Sequence, residues 1–544
     1  MLKNYRGIFL TVIVSKVFEG MIKERIQDQL VKVNILQAGS RFNRGAGDNV
    51  FLLRAAIDHY VNMKKPLFVT AYHYEQAFDS LWMEDCILAL KDLGVSQEML
   101  QLIFSLNKNA KVVVQTPHGL TTEFTTDPIV KQGTVLGSNL CSSSTGEYCG
   151  VNVGVAVGTM ILASLLYVDD IIDLSLNTDE CLKAHENALT FSNKKKLSLS
   201  GSKCFNMVIN QNEENLPVDM EIDEEKKVVV AEEIVYLGDV FDVKGSNNGL
   251  IHDRVRRGTK ASISIQSLLA ETDVGKHKIS VSLLLYGVLF LSTVLFNSQT
   301  WSNLKKKDIE ALTTLQLKFL KKIVGVARST CNAFTFLELG VLPIEHEIRK
   351  RQLMYLHRIL QLEHDDPVVQ MFHNIVDLHK CGESNWWTDV KQSMEKYNID
   401  TPLDEIAAMS KERFRVIVNT SVKKLALREL VDEVKTKKKT KHLIYTELQT
   451  QSYLLNFYPT QARTIFKSRC QTLDIKSHLT YRYDDLCCRV CGEGEESLIH
   501  VVNCGSDDIL QWDPRDLDDT NTVNTRRCIK RIEMFIETVT NSNP

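Results

Sequence analysis

Residues 160–176 read MILASLLYVDDIIDLSL. Apolar residues flank the acidic pair Asp169–Asp170 on both sides, which predicts two β-strands with the acids at the turn between them. Two adjacent carboxylates at an apolar hairpin tip are unfavourable unless water or a cation meets them. An acidic turn is common by itself, so the weight of Tyr167-Val168-Asp169-Asp170 comes from its neighbours.

Upstream, Pro66 to Tyr74 (PLFVTAYHY) reads as a strand and residues 1–66 as helix and loop. FDSLWMEDCILALKDLG, from Phe78, reads as a helix that starts at Asp79 or Ser80, since either side chain caps an N-terminus. Lys111 to Val114 is a further strand candidate, 180–198 a helix, and Lys226 to Val240 is strand-rich. Strands then give way to helices. Ile309, Leu312, Leu315, Phe319 and Ile323 recur at helical spacing beside Lys318, Lys321 and Lys322, and 346–361 repeats the pattern with Leu353, Leu356 and Leu360. The run KTKKKTK (435–441) reads as a solvated linker, with a nuclear signal or a nucleic-acid contact as the alternatives.

The chain has 544 residues, enough for three or four domains at roughly 150 residues each. Its 26 Gly and 10 Pro exclude collagen-like and Pro/Gly-rich disordered classes. The net charge of -3 argues against a histone-like polycation, but it conceals opposite regions. Residues 201–250 hold 4 Lys/Arg against 11 Asp/Glu, and residues 251–350 hold 15 against 8. The thirteen Cys are scattered and do not read as a disulfide framework, which points to a reducing, intracellular setting, cytoplasmic and nuclear. The opening MLKNYRGIFLTVIVSK mimics a signal peptide, but Lys16 interrupts the run and no small-residue cleavage site follows. Ile279 to Trp301 is uncharged and long enough to span a bilayer at ~20 residues. Its serines, Asn297 and Gln299 favour a buried helix of a large domain, so no membrane partner is expected.

Six segments occur in a fixed order: QAGSRFNRG (37–45), YEQAFDSLW (74–82), VKQGTVLG (130–137), YVDD (167–170), GSKC (201–204) and YLG (236–238). This order resembles the reverse transcriptases of non-LTR (LINE-like) retrotransposons over most of residues 1–350. LLLYG (283–287) with Thr300-Trp301, and ELGVLP (338–343), resemble the thumb and post-thumb region of those elements. The resemblance implies an α+β right-hand polymerase: fingers and palm over 1–245 and a basic helical thumb over 246–360. A helical connector (361–480), a zinc knuckle (481–510) and a tail (511–544) follow. It also implies a chain that begins inside its fingers and carries no endonuclease.

The implied activity is RNA-directed DNA polymerisation, a nucleotidyl transfer on an RNA template and DNA primer with dNTPs. Two Mg²⁺ (or Mn²⁺) ions serve such enzymes, and hard cations take oxygen ligands. By resemblance Asp169 is the metal-binding acid and Asp170 its support. Lys203 faces pyrophosphate, and Phe78 gates against a ribose 2′-hydroxyl. Gln132 and Gly133 form the turn that meets nucleotide and template, and Arg41 and Arg44 meet template or triphosphate. Tyr236-Leu237-Gly238 resembles the hairpin that grips the primer.

One position departs. The partner acid belongs six residues before Asp79, and His73 stands there. Imidazole is a poor Mg²⁺ ligand and removes a negative charge, so catalysis is expected to be crippled or lost. The alternative function is a non-catalytic nucleic-acid-binding remnant of a retroelement.

A second set, Cys488-x2-Cys491-x8-His500-x3-Cys504, has the donor types of a closed tetrahedral Zn²⁺ site. It resembles the C-terminal CCHC knuckle of the same elements. Cys487 is a bystander or a replacement for Cys488.

Overall fold

A computed structural model describes residues 8–126, 129–148, 154–514 and 522–541. The chain divides into two compact units. The first comprises Met1–Leu250, Gln299–Leu304 and Tyr355–Gln392; the second comprises Ile251–Ser298, Lys305–Met354 and Ser393–Pro544.

The first unit is built on a six-stranded sheet in the order Met220–Glu221, Lys227–Val230, Phe205–Ile209, Leu67–Tyr72, Asp170–Ser175, Ser164–Tyr167. Leu67–Tyr72 (LFVTAY) is rich in β-branched and aromatic residues and almost wholly buried, which suits a strand with a partner on each side. It pairs antiparallel with both neighbours, and Thr70 stands opposite Asp173 and Asn206. Asp173 is the sheet's buried acid. Ser164 Oγ and Tyr148 Oη donate to it at 2.6 and 2.5 Å, and burial pushes its carboxyl up to about 6. Helix Ala46–Met63 packs on the sheet. Helix Thr178–Lys194 leaves the last central strand under the Asn177 cap, whose side chain accepts from Glu180 N–H.

Two local expectations change. The helix expected from Asp79 or Ser80 is split into Ala77–Ser80 and Met83–Asp92. Between them Leu81 is extended and fully buried, and its carbonyl accepts from Val130 N–H at 3.2 Å. Tertiary pairing thus overrides the local capping signal. Residues 160–176 make three strands rather than two. Met160–Leu162 folds back on Val155–Val157, while Ser164–Tyr167 and Asp170–Ser175 form the acid-bearing hairpin. The turn is Val168–Asp169, and Asp170 is already the first residue of its strand.

The second unit is helical. Helix Lys306–Val324 closes on Gly325 in the left-handed region, φ 76°. The ELGVLP segment supplies a buried ion pair. Glu338 and Arg469 meet at 3.0 Å, and Tyr445 and Tyr453 donate their hydroxyls to the same carboxylate. Gly340, at φ 64°, is required there, because a Cβ would lie 2.2 Å from Thr450 N.

The expected buried helix after Ile279 is mostly not buried, and it is not uniformly α-helical. A π-helical turn at Tyr286–Phe290 interrupts it between Lys278–Leu285 and Leu291–Val294. Ile279, Tyr286, Phe290 and Val294 face inward, with Tyr286 and Phe290 stacked on Phe319, whereas Leu284 and Val288 stay exposed. Gly275–Val294 is long and apolar enough to cross a membrane by length and composition. The 435–441 run is not a free linker. Lys435 and Thr436 end helix Lys411–Thr436, and Thr440 is buried with its hydroxyl donating to the Val434 carbonyl at 3.1 Å.

In the first unit the loop 34–45 grips the hairpin tip. Val168 N–H donates to Gln37 Oε1 at 2.8 Å, and Gln37 Nε2 donates to Val168 O at 3.1 Å. Gly39 packs so closely that a Cβ would lie 2.4 Å from Val168 N. Replacing Gly39 by Ala should therefore destabilise the chain by about 1–3 kcal/mol, the cost of overpacking a rigid site. Gly20, inside helix Ile13–Arg25 with open space around its Cβ position, should respond oppositely, Gly20→Ala gaining about 0.5–1 kcal/mol. Urea denaturation of both variants tests this; equal responses would contradict it.

Candidate functional site

The acid hairpin is a two-residue turn in which Val168 has φ 57°. A β-branched residue rarely adopts the left-handed region, so the turn depends on its partners. Gln37 takes both polar groups of the Val168 backbone, and Thr145 Oγ1 donates a further bond to Val168 O at 2.5 Å. Ala38 N–H and Leu166 O pair at 2.9 Å, so the loop adds to the hairpin like a short extra strand. Asn49 Nδ2, from helix Ala46–Met63, donates to Leu166 O at 2.8 Å and to Tyr236 Oη at 3.1 Å.

Strand Leu67–Tyr72 ends beside this hairpin, with Tyr72 opposite Ile171. His73 follows directly and faces Asp170: its Nδ1 lies 2.7 Å from Asp170 Oδ1. The GSKC turn holds His73 from the other side. Ser200 N–H donates to His73 O at 2.8 Å, and His73 N–H donates to Cys204 Sγ at 3.3 Å. Glu75, the nearest alternative acid in the chain, pairs instead with Lys226 at 3.3 Å.

Two adjacent Mg²⁺ ions need clustered oxygen donors in near-octahedral geometry. Here a nitrogen base stands where a carboxylate is needed and engages one Asp170 oxygen. The residues present do not fit a pair of Mg²⁺ ions.

The other residues singled out by sequence are placed as follows. Asp169 is the second residue of the turn. Lys203 is exposed on the turn before Phe205–Ile209. Phe78 is half buried against the main apolar cluster of this unit. Gln132 and Gly133 form a turn ahead of helix Gly137–Thr145, with Gly133 at φ 104°. Gln132 O accepts from Phe9 N–H at 2.8 Å, and a Cβ on Gly133 would lie 2.8 Å from Phe9 O. Leu237 and Gly238, both at positive φ, turn the hairpin Glu233–Tyr236/Asp239–Asp242.

The two arginines point inward. Arg41 Nη1 donates to Val33 O at 2.7 Å, and burial together with Arg44 lowers its pKa. Arg44, with a side chain only 1% exposed, lies between Asp48 (3.3 Å) and Asp366 (3.1 Å). Its guanidinium serves an internal ion-pair cluster that also includes Arg358. Sequence reasoning assigned the 37–45 stretch to these arginines and missed Gln37, Thr145 and Asn49. In the sequence these three carried no signal beyond the Gln37-Ala38-Gly39 opening of that stretch.

In the second unit the ligand atoms of Cys488, Cys491, His500 and Cys504 all lie within 4.8 Å of one another. Cys488 Sγ and Cys504 Sγ are 3.8 Å apart, and Cys491 Sγ lies 3.3 Å from His500 Nε2. A tetrahedral centre with Zn–S near 2.3 Å requires sulfur atoms about 3.8 Å apart, so the set fits Zn²⁺. Gly492 and Gly494, at φ 72° and 69°, close the turn that brings Cys488 and Cys491 together. Helix Leu498–Asn503 presents His500, and its Ser497 cap accepts His500 N–H at 3.3 Å. Cys487 is exposed and lies outside the set. Val501, Val502 and Cys488 pack on Cys528, Ile532 and Phe535 of helix Thr522–Asn541.

No curated protein matches the chain. Solved structures similar to it include apo telomerase from Candida tropicalis, at 12% identity over 73% of this chain and 61% of that one, with a TM-score of 0.32. Telomerase from Candida albicans in complex with a TWJ fragment of telomeric RNA is similar at 11% identity over 66% and 57%, with a TM-score of 0.28. The chain spans 57–61% of the length of these two solved structures. The family described as reverse transcriptase (RNA-dependent DNA polymerase) matches residues 2–241, a span that contains the six-stranded sheet, the acid hairpin and the loop that grips it.

Proposed function

We propose that the chain is a reverse transcriptase of a non-LTR retroelement in which one residue has disabled the polymerase centre. The observation that carries this reading is the 2.7 Å contact between His73 Nδ1 and Asp170 Oδ1. A two-metal centre works by concentrating negative charge at one point so that two divalent cations can sit side by side. With His73, the centre loses a carboxylate and gains a base that competes for a remaining one. In this reading fingers and palm span 1–245, the thumb 246–360, and the substrates are an RNA template, a DNA primer and dNTPs. Asp169, Lys203, Phe78, Gln132 and Gly133 keep the roles the resemblance gives them, whereas Arg41 and Arg44 hold the loop that supports the hairpin.

The second reading, a non-catalytic nucleic-acid-binding remnant, draws on the same contact. The two part on the response to His73→Asp. A bound metal ion supplies several kcal/mol of transition-state stabilisation, at about 1.4 kcal/mol per decade of rate. On the first reading Mg²⁺-dependent primer extension on an RNA template therefore rises about 10²-fold or more in that variant. No extension by either protein, with template binding intact, would favour the remnant. Robust extension by the parent would contradict both.

We also assign Cys488, Cys491, His500 and Cys504 to a structural Zn²⁺ ion. The metal would tie the Cys488–Cys491 turn to helix Leu498–Asn503 and so support the apolar cluster beneath it. Metal analysis of the full chain should give about one Zn per molecule, lost in Cys491→Ser with a lower melting temperature for this unit. Zn-free protein, or full retention in Cys491→Ser, would contradict the assignment.

A further inference from the structure

The second unit contains a cleft of about 1010 Å³ that no part of the reading above uses. One wall is the loop Val326–Asn332. The other is the end of helix Lys411–Thr436 with the Lys437–Thr440 turn, and the floor comes from residues between Lys467 and Arg482. Arg328, Lys437, Lys438, Lys439, Lys467 and Arg482 line it, against Glu433 and Asp474.

Both walls are built rather than incidental. Lys321 is buried, and its ammonium donates to Arg328 O (2.7 Å), Thr330 O (2.5 Å) and Asn332 Oδ1 (2.7 Å), which fixes the first wall. Lys439 Nζ donates to Gln471 O (3.0 Å) and His478 O (2.6 Å), which ties the second wall to the floor. The remaining cations are left for something else. Among the described residues, Arg328, Lys437, Lys438 and Lys467 make no ion pair. Six cations face two acids here, and such an excess of like charge is unfavourable; an anion entering the cleft relieves it.

Tyr481 identifies the anion. It lines the cleft yet remains 71% exposed, with Arg482 and Lys439 at 5.4 and 5.8 Å from its ring centroid. A lone phosphate has no use for an exposed ring. An aromatic face among cations is the arrangement on which single strands are held, phosphates on the basic groups and a base on the ring. We propose that this cleft binds a single strand of RNA or DNA, independently of the polymerase centre.

The test is fluorescence anisotropy of a labelled twenty-nucleotide oligo(dT) with the full chain, without divalent metal or dNTP, across a range of salt. Lys437→Glu/Lys438→Glu should weaken binding at least tenfold and flatten the salt dependence by about 1.4 in log–log slope, since each single-strand phosphate contact contributes about 0.7. Tyr481→Ala should weaken binding about fivefold or more, and Tyr481→Phe should restore it. All these residues are exposed apart from partial cover, so thermal melts should coincide with the parent. Affinity and slope of the double variant within twofold of the parent would overturn the proposal. So would equal behaviour of Tyr481→Ala and Tyr481→Phe, or displacement by oligo-glutamate as effective as by unlabelled oligo(dT).

Discussion

One side chain amide, that of Gln37, holds the turn that carries the first unit's acid pair. Val168 sits at positive φ, a conformation that costs on the order of 1–3 kcal/mol for such a residue. The cost is offset because Gln37 satisfies both its N–H and its carbonyl in a buried setting, where leaving either unpaired would be worse. Gly39 permits the approach and Thr145 adds a third bond. The turn in this form puts Asp169 at its tip and makes Asp170 the opening residue of a strand. Strand pairing then delivers Asp170 to the end of Leu67–Tyr72, where His73 stands.

The consequence is electrostatic. The surrounding framework is intact: the sheet is paired across six strands, Asp173 is fully hydrogen-bonded beneath the hairpin, and the GSKC turn fixes the His73 backbone. Glu75, two residues beyond His73, is turned to Lys226 at 3.3 Å. What His73 changes is therefore charge and donor type, not fold. The second unit shows the opposite case, in which three sulfurs and an imidazole converge with spacings that suit a metal.

Local signals in the sequence were readable where the physics is local. The strand Leu67–Tyr72, the acid hairpin and the Cys/His spacing each follow from short-range pattern. Long-range partners defeated the reading elsewhere. Arg44 looks like a phosphate ligand until Asp366, 322 residues away, is brought to it. Leu81 breaks a helix because Val130 needs its carbonyl. The 435–441 run looks solvated by composition, yet Thr440 is buried and Lys439 is spent on two carbonyls. The apolar stretch after Ile279 gives no hint of its exposed side, since hydropathy does not reveal which face finds a partner.

The central claim is that His73 denies the first unit a pair of divalent cations. Electron paramagnetic resonance of Mn²⁺, titrated into the chain with primer–template and dNTP, addresses it directly. The account predicts no spin-coupled Mn²⁺ pair in the parent chain and the appearance of one in His73→Asp. A coupled pair in the parent, lost on Asp169→Asn, would contradict it.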